Sequence, residues 1–420
     1  MKRIFISLFF FAFMWTAAGA DASSELLFVR WPANPDAVWY SFRIVPVTQH
    51  FGRKEMRPPI YEDGHVFRDS VMIEKEITDS YDGPGILCCQ VKAIGLDGQS
   101  ISAYSAPVPL EKAAQEMERY APKIRVKYHE QNGTVLLYPA YSFVKIPHAV
   151  SYEVEITDEE PENPDGCEPS VHRISQGIVT IPELFDELPR QGAVWWRVRG
   201  LDENGGPVGV WSEAEKIVND PAENWETGIL GDSISHGGGR MSYSPADWPY
   251  NYAYYLDFPT INISRSGDKT DDLLRRFDAD VLPFHVQYLL IMGGTNNLRS
   301  GETAEEVISD LEALQEKCRA NDIKPVLLTI PPIAPDRIWK YYQQPTAENW
   351  KAEFDKVNGW IRTQTHIDTA APFAMYEDMP ENLAADGLHP DKEAKEKMGK
   401  IINEKFPEIR KKISETKIQK

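Results

Sequence analysis

The sequence GILGDSIS, residues 228–235, marks the point where the pattern of the chain changes. Gly228–Leu230 has the character of a short buried strand, and Gly231–Ser235 has that of the turn that follows it. Downstream, Tyr288–Met292 and Val326–Ile330 are apolar runs of strand length, and Thr303–Ala320 between them has helical spacing. Strands that alternate with helices predict βαβ units and a buried parallel sheet.

We therefore predict an α/β domain over residues 225–410. Lys392–Phe406 has the pattern of an amphipathic helix that closes this domain. The Lys-rich residues after it are expected to form a frayed tail.

Upstream, residues 25–218 alternate apolar and polar side chains between Gly, Asn and Asp turns, which is typical of an all-β region. This region also repeats itself, because three landmarks recur at one constant offset: Val91, Gly98 and Tyr104 return as Val198, Gly205 and Trp211. We predict two β-sandwich modules, residues 25–115 and 122–218, joined to the α/β domain by a linker at 219–226.

The second copy has a recognisable pattern, formed by Tyr152–Ile156, Trp195–Arg199 and the turn Asp202–Gly205. It resembles fibronectin type III domains. Its aromatic residues have two interpretations, a sugar-binding platform or core packing, and core packing is the favoured one.

Residues 1–20 have the pattern of a secretory signal: Lys2 and Arg3, an apolar run, then Ala18–Ala20 as a small-residue cleavage site. We expect the mature protein to begin at Asp21 and to be periplasmic or extracellular, without stable membrane insertion after cleavage. An uncleaved membrane anchor is the alternative. Export would permit a disulfide among Cys88, Cys89, Cys167 and Cys318, but the spacing of these cysteines does not indicate a zinc site.

The formal net charge of −19 argues against a nucleic-acid partner, because phosphate binding needs concentrated Lys and Arg. It favours neutral or cationic substrates. The sequence leaves the oligomeric state open.

Ser233 follows the first strand of the predicted sheet, at the carboxyl end where open α/β sheets bind ligands. In Asp386–Pro390, a carboxylate and an imidazole are three residues apart, so Asp386 can orient His389 and His389 can take a proton from serine. The simpler interpretations are a capped helix start at Ser233 and an ordinary Asp-Gly turn at 386–387. Pro390 suits the first turn of the closing helix.

Two further turns follow strands of the same sheet. Gly267 comes after Ile261–Ile263 and can offer a backbone N–H, while Gly293–Asn297 places the Asn296 amide at the next strand end. Such donors can stabilise a tetrahedral oxyanion.

These four blocks, in this order, resemble the SGNH hydrolase (GDSL-type esterase/lipase) family: Gly231–Ser233, Asn262–Gly267, Gly294–Asn296 and Asp386–His389. The resemblance covers about residues 227 to 408. It implies a three-layer, flavodoxin-like domain with Ser233 as nucleophile, His389 as base and Asp386 as its orienting residue. The oxyanion hole would comprise the Ser233 N–H, the Gly267 N–H and the Asn296 side chain.

Two local features need separate interpretation. The family commonly has Asp where this chain has Asn297, which puts the hydrogen bonding of that loop in doubt. His236–Gly239 imitates the oxyanion loop of α/β-hydrolase lipases but trails Ser233 instead of preceding a nucleophile elbow. We expect a flexible loop here, with His236 exposed to solvent; contact between His236 and substrate is the alternative.

The sequence thus predicts an exported serine esterase that needs no metal or organic cofactor. The expected substrate is a small-molecule or polysaccharide ester, with removal of acetyl or other short acyl groups from carbohydrate favoured by export and by an aromatic segment: Trp248, Tyr250, Tyr252, Tyr254 and Tyr255. These aromatics also have a simpler interpretation as packing around the first helix. A lipid or thioester hydrolase on the same fold and a non-catalytic surface-binding protein are the other two hypotheses.

Overall fold

The computed structural model describes residues 26–34, 36–50, 53–125, 135–241 and 244–418. The predicted signal peptide lies outside them. Within the described ranges, no helix combines the length and the apolar character needed to cross a membrane.

The first part of the chain forms two antiparallel sheets, with strand orders β5-β1-β8 and β3-β2-β6-β7, and β4 pairs with β2. Leu27, Phe42 and Cys89 belong to one apolar cluster that both sheets share. The elements are β1 (Leu26–Arg30), β2 (Trp39–His50), β3 (Arg53–Met56), β4 (Tyr61–Val66), β5 (Ser70–Glu74), α1 (Lys75–Asp79), β6 (Ile86–Ile94), β7 (Val108–Pro109), α2 (Leu110–Ala113) and β8 (Ala114–Met117).

The second part again forms two antiparallel sheets, β14-β11-β9 and β13-β12-β15-β16, and β17 pairs with β15. One strand, β10, pairs elsewhere. The elements are β9 (Lys123–Ile124), β10 (Val135–Leu136), β11 (Ala140–Val144), β12 (Ser151–Thr157), β13 (Arg173–Val179), β14 (Glu183–Phe185), β15 (Gly192–Leu201), β16 (Pro207–Val208) and β17 (Glu215–Asn219).

The internal repeat is visible as equivalent hydrogen bonds in the two parts. Ser105 N donates to Val91 O at 2.8 Å, and Ser212 N donates to Val198 O at the same distance. The return bonds also correspond, since Val91 N donates to Ser105 Oγ at 3.1 Å and Val198 N to Ser212 Oγ at 3.0 Å. The two halves of this β-rich region therefore share local structure as well as sequence.

The four cysteines are free, so the disulfide that export would permit is not formed. Cys88 and Cys89 are adjacent in β6 and buried, and Cys318 is buried in the α/β domain.

The third part is built on a parallel sheet in the order β10-β19-β18-β20-β21-β22. Its strands are β18 (Thr227–Gly231), β19 (Ile261–Asn262), β20 (Tyr288–Met292), β21 (Lys324–Leu328) and β22 (His366–Ile367). Apart from β10, the order is that of flavodoxin-like doubly wound sheets. The helices are α3 (Ser233–His236), α4 (Thr270–Asp280), α5 (Thr295–Arg299), α6 (Ala304–Ala320), α7 (Pro335–Tyr342), α8 (Trp350–Ile361) and α9 (Lys392–Ile418), with short 3₁₀ turns at 221–223, 248–250, 252–255, 282–284 and 371–373.

Successive residues of the strands face opposite sides of this sheet, as strand geometry requires. Leu289 and Ile291 of β20 lie in the apolar cluster that includes α4, α6 and α8, whereas Leu290 and Met292 lie in the cluster that includes α9. The α/β domain therefore has three layers with a core on each face.

The closing helix is longer than we predict from the sequence. α9 continues to Ile418 through Pro407, whereas a frayed tail was expected after Phe406. Ile409 and Ile413 continue the apolar stripe of Ile402 and Phe406 against the domain, which keeps the last turns docked.

Candidate active site

Ser233 is the first residue of α3 and is separated from the end of β18 only by Asp232, at the carboxyl edge of the sheet. Asp232 caps the helix, because its Oδ1 accepts a hydrogen bond from Ile234 N at 2.9 Å. Gly231 is required sterically: a Cβ at this position would lie 2.5 Å from Met292 O and 2.6 Å from Ser235 Oγ. The turn can therefore present Ser233 only if position 231 has no side chain.

His389 connects Ser233 to Asp386. Its Nε2 lies 3.0 Å from Ser233 Oγ, and its Nδ1 lies 2.7 Å from Asp386 Oδ2. Because the carboxylate accepts, Nδ1 carries the proton and Nε2 is free to accept the serine proton. The structure brings these three predicted residues into one hydrogen-bonded chain.

Asp386 is fully buried yet charged. Its Oδ1 accepts hydrogen bonds from the backbone amides of Leu388 and His389, each at 2.8 Å, and Tyr342 Oη donates to its Oδ2 at 2.7 Å. Burial opposes the charge, but His389 and Tyr342 lower the pKa of Asp386 to about 2. The carboxylate is therefore ionised wherever the histidine can act as a base.

The segment that carries His389 is held by hydrogen bonds and not by the helix itself. We predicted Pro390 in the first turn of the closing helix, but α9 begins at Lys392, two residues later. Asp391 N donates to Leu383 O at 2.7 Å, and Asp391 O accepts from Lys395 N at 2.9 Å. His389 thus lies in a short segment whose two ends, Asp386 and Asp391, are fixed by hydrogen bonds.

Gly267 and Asn296 lie at the carboxyl ends of the neighbouring strands β19 and β20, in the same cleft as Ser233 and His389. Gly267 has a φ of +90°, a conformation that glycine adopts without strain. The Asn296 amide donates one hydrogen bond to Asp268 O at 2.9 Å and retains a second N–H. Within the described residues, neither the Ser233 N–H nor the Gly267 N–H donates to another group.

The cleft is open and has a volume of about 340 Å³. Its polar lining includes Ser266, Arg299 and Gln344, to which the sequence motifs assign no role. Phe185 also lines it, although this residue lies in β14 of the second antiparallel region. The β-rich part of the chain therefore contributes directly to the cleft.

His236 is buried, so the prediction of an exposed side chain was wrong. Its Nε2 donates to Tyr138 O at 2.7 Å, which leaves Nδ1 to accept from Ser266 Oγ at 2.9 Å. Burial lowers the pKa of His236 to about 4, and the side chain is neutral at pH 7. The loop after it, Gly237–Gly239, lines the cleft.

The aromatic segment does not line the cleft; its members are buried or half-buried and belong to two 3₁₀ turns that pack on α9. These residues therefore pack in the core, as in the simpler interpretation, but the helix that their turns mainly contact is α9 and not α3. Tyr252, for example, donates to Ser235 Oγ at 2.9 Å from inside the core.

Two buried cations support the site from behind. Arg276 donates to Asp268 Oδ2 at 2.6 Å and to Ile263 O at 2.5 Å, which fixes the loop that carries Gly267. Lys395 of α9 donates to Ile234 O beneath α3, and burial lowers its pKa to about 7. In the sequence, Lys395 stands between the apolar residues Ala394 and Met398 on the face of α9 that packs on the domain. A lysine in such a position indicates a buried cation with a specific partner.

Residues 229–397 match the model of the GDSL-like Lipase/Acylhydrolase family. The α/β domain is therefore the part of the chain that is similar to this family. The matched residues begin in β18 and end in α9, so they include Ser233, Gly267, Asn296, Asp386 and His389.

Solved structures with partial similarity include a GDSL-like lipase from Bacteroides thetaiotaomicron VPI-5482 (18% identity, TM-score 0.36, covering 45% of this chain and 90% of that chain). A lipase/acylhydrolase from Enterococcus faecalis is 23% identical, with a TM-score of 0.35 and coverage of 43% and 94%. A mutant acetyl-xylooligosaccharide esterase from Geobacillus Stearmophilus is 17% identical, with a TM-score of 0.32 and coverage of 42% and 92%. No curated protein matches the chain.

Proposed function

We propose that the chain is a serine esterase in which Ser233 is the nucleophile, His389 the general base and Asp386 the residue that orients the histidine. One observation carries this proposal: the hydrogen-bonded chain from Ser233 Oγ through His389 to Asp386 opens onto the cleft that Gly267 and Asn296 also line. Nucleophile, base and orienting group at these distances are the requirement for acyl transfer through a serine.

In the first step, Ser233 Oγ attacks the ester carbonyl carbon while His389 Nε2 takes the serine proton. The histidine then gives this proton to the leaving alcohol, and an acyl-serine remains. In the second step, water attacks the acyl carbon, His389 accepts a proton from that water, and the carboxylic acid leaves as Oγ is reprotonated. Asp386 stabilises the imidazolium in both steps without being protonated.

The oxyanion of each tetrahedral intermediate needs donors that are already in place. We assign this role to the Ser233 N–H, the Gly267 N–H and the second N–H of the Asn296 amide. The two backbone groups have no acceptor within the described residues, and the Asn296 side chain is anchored through Asp268 O. Fixed donors of this kind stabilise the transition state without reorganisation.

For the substrate, we propose short acyl esters, with acetylated carbohydrate as the preferred class and the predicted export as its cellular context. Most of the cleft lining is apolar, but Ser266, Asn296, Arg299 and Gln344 add polar groups to which the hydroxyl groups of a sugar can hydrogen-bond. A lipid or thioester hydrolase with long acyl chains needs a continuous apolar groove beside Ser233. The third hypothesis, a surface-binding protein without activity, predicts no turnover.

The test is hydrolysis of p-nitrophenyl esters from acetate to palmitate by the wild type and by Ser233→Ala and His389→Ala. We expect short-chain activity, and a loss in kcat of about 10⁴-fold or more in either variant. Ser80→Ala, which changes an exposed serine far from the cleft, is the matched control and should leave kcat unchanged. Activity that survives Ser233→Ala would remove Ser233 from the mechanism, a preference for long chains would favour the lipid hydrolase, and no activity in the wild type would favour the binding protein.

A further inference from the structure

Arg299 is a buried cation in the wall of the cleft, and the mechanism above does not use it. It is the last residue of α5, three positions after Asn296, so the two side chains lie on the same face of that helix. Both line the cleft together with Ser233 and His389. Only 8% of Arg299 is exposed.

The Arg299 guanidinium is poorly satisfied within the described part of the chain. Its Nε is buried and has no hydrogen-bond partner. Nη2 has one contact, a long 3.4 Å bond to Gln344 Oε1. Burying a charged group with so few partners is unfavourable. Such an arrangement is expected where a bound ligand supplies the missing hydrogen-bond acceptors.

The other buried arginines show what a satisfied guanidinium looks like in this molecule. Each has a carboxylate within reach: Arg68 with Glu183 at 2.9 Å, Arg190 with Asp186 at 2.6 Å, Arg197 with Glu155 at 2.5 Å, Arg240 with Asp391 at 3.5 Å and Arg276 with Asp268 at 2.6 Å. Among the described residues, Arg299 has no such pair. It is also the one that lines the cleft beside Ser233.

Asp386 is the carboxylate whose charge influences Arg299 most, but it already has other hydrogen-bond partners. It accepts hydrogen bonds from His389, Tyr342 and the Leu388 amide. Burial lowers the pKa of Arg299, and the opposite influence of Asp386 is smaller. The positive charge in the cleft is therefore left without a dedicated counterion.

We infer that Arg299 binds a carboxylate carried by the ester substrate, so that the enzyme prefers anionic esters. This inference rests on the proposed esterase function and deepens it. A guanidinium suits the role because its planar fork of N–H donors matches the two oxygens of a carboxylate. If the substrate is an acylated carbohydrate, the carboxylate belongs to the sugar, as in an acetylated uronic acid. The acidic surface of the chain would repel such a substrate, so the preference must come from a local cation.

Two pairs of esters of matched size test this inference and locate the charge. The first pair compares kcat/KM for acetylated methyl glucuronoside and acetylated methyl glucoside, in which the carboxylate is carried by the leaving alcohol. The second pair compares the p-nitrophenyl half-ester of adipic acid with p-nitrophenyl hexanoate, in which the carboxylate is carried by the acyl group. We expect the wild type to have a kcat/KM about tenfold or more higher for the charged member of the sugar pair.

Arg299→Gln should abolish this preference: kcat/KM for the charged member should fall about tenfold or more relative to that for the neutral member, so that the ratio of the two approaches one. Arg299→Lys keeps the charge but not the planar fork and should retain part of the preference. Arg275→Gln removes the same charge from an exposed position on α4 and should change neither rate.

Three outcomes separate the possibilities. Equal kcat/KM for both members of both pairs in the wild type would overturn the role of Arg299 and leave the esterase function intact. An equal loss for charged and neutral esters in Arg299→Gln would also overturn it, because Arg299 would then act through Asp386 and not through the substrate. If the wild type hydrolyses no ester of either pair, the proposed function itself fails.

Discussion

Asn297 is held at both ends of its side-chain amide. Its Oδ1 accepts from Thr270 N at 3.0 Å, and its Nδ2 donates to Glu302 Oε2 at 2.7 Å and to Thr270 Oγ1 at 3.1 Å. The side chain is completely buried. The family commonly has Asp at this position, but an Asp could not donate a hydrogen bond to Glu302. The Asn297 amide can, so the departure fits the acceptor that faces it.

Asn297→Asp should destabilise the fold by about 1–3 kcal/mol, because it replaces a donor with a carboxylate that faces Glu302. Urea unfolding at pH 7 measures the loss. Glu302→Gln in the same chain should restore most of it, since glutamine can donate to the new carboxylate. Full stability of Asn297→Asp, or no recovery in the double variant, would contradict this account of the loop.

At the scale of elements, α3 is too short to be stable alone and depends on its neighbours. Three buried side chains stabilise it by donating hydrogen bonds to its backbone carbonyls. The bonds are Asn262 Nδ2 to Ser235 O (2.8 Å), Asn251 Nδ2 to His236 O (2.9 Å) and Lys395 Nζ to Ile234 O. His236 adds a bond from its own ring to Tyr138 O. The position of the nucleophile is thus set by residues from four separate segments.

The neutral state of His236 makes this support sensitive to pH. The pKa of His236 is about 4 in the folded protein, below its ordinary value of about 6.5. The unfolded chain therefore takes up a proton before the folded one does, and the contribution of His236 to stability is complete above pH 6.5 and is lost as pH falls towards 4. The loss is at most about 3 kcal/mol.

His236→Gln should consequently gain stability relative to the wild type as the pH is lowered from 7 to 4. Asp232 and Asp391 also titrate in this range, because burial raises the pKa of each carboxyl to about 6, and their protonation stabilises the folded state as the pH falls. Comparing the two chains at each pH cancels this contribution. Chemical unfolding at pH 7, 5.5 and 4 gives the difference. A difference that does not change with pH would show that His236 is not the group that titrates.

The regular elements of the α/β domain could be predicted from periodicity because their apolar residues face the cores on the two sides of the sheet. β20 has the predicted bounds Tyr288–Met292, and α6 begins after the Thr303 cap. The extent of α9 could not be predicted in the same way, since Pro407 is a stop signal in sequence terms. Its packing on the domain overrides that signal. The burial of His236 depends on Tyr138 O, 98 positions away, and no local pattern reveals such a contact.

At the scale of the molecule, the β-rich region and the α/β domain are joined through their cores. β10, which lies within the predicted second module, pairs in parallel with β19 and becomes the edge strand of the α/β sheet. A buried ion network adds a second junction: Arg68 contacts Glu183, and Arg125 contacts both Asp69 and Asp247. The internal repeat was visible in sequence, but these junctions join residues far apart along the chain and were not.

Asp247→Ala should destabilise the whole chain by about 3–5 kcal/mol, because it leaves Arg68 and Arg125 without one of their buried counterions. Thermal or urea unfolding measures this effect. Asp271→Ala, which removes an exposed carboxylate from α4, is the control and should cost less than about 0.5 kcal/mol. Equal small effects would mean that the network does not hold the parts together.

Phe185 tests whether the β-rich region takes part in substrate binding. Phe185→Ala should raise KM for the best ester about threefold to tenfold with little change in kcat, because it removes an apolar wall of the cleft and no reacting group. Ile178→Ala, an exposed residue on the neighbouring strand β13, is the matched control. An unchanged KM in Phe185→Ala would show that substrates do not reach β14.

The central claim, that Ser233 is an activated nucleophile, is tested most directly by covalent labelling with a fluorophosphonate. The serine oxygen forms a bond to phosphorus, fluoride leaves, and His389 accepts the proton. Intact-mass and peptide analysis should find one adduct on Ser233 in the wild type, none in Ser233→Ala, and much slower labelling in His389→Ala. Labelling at another residue, or equal labelling of the wild type and Ser233→Ala, would contradict the account.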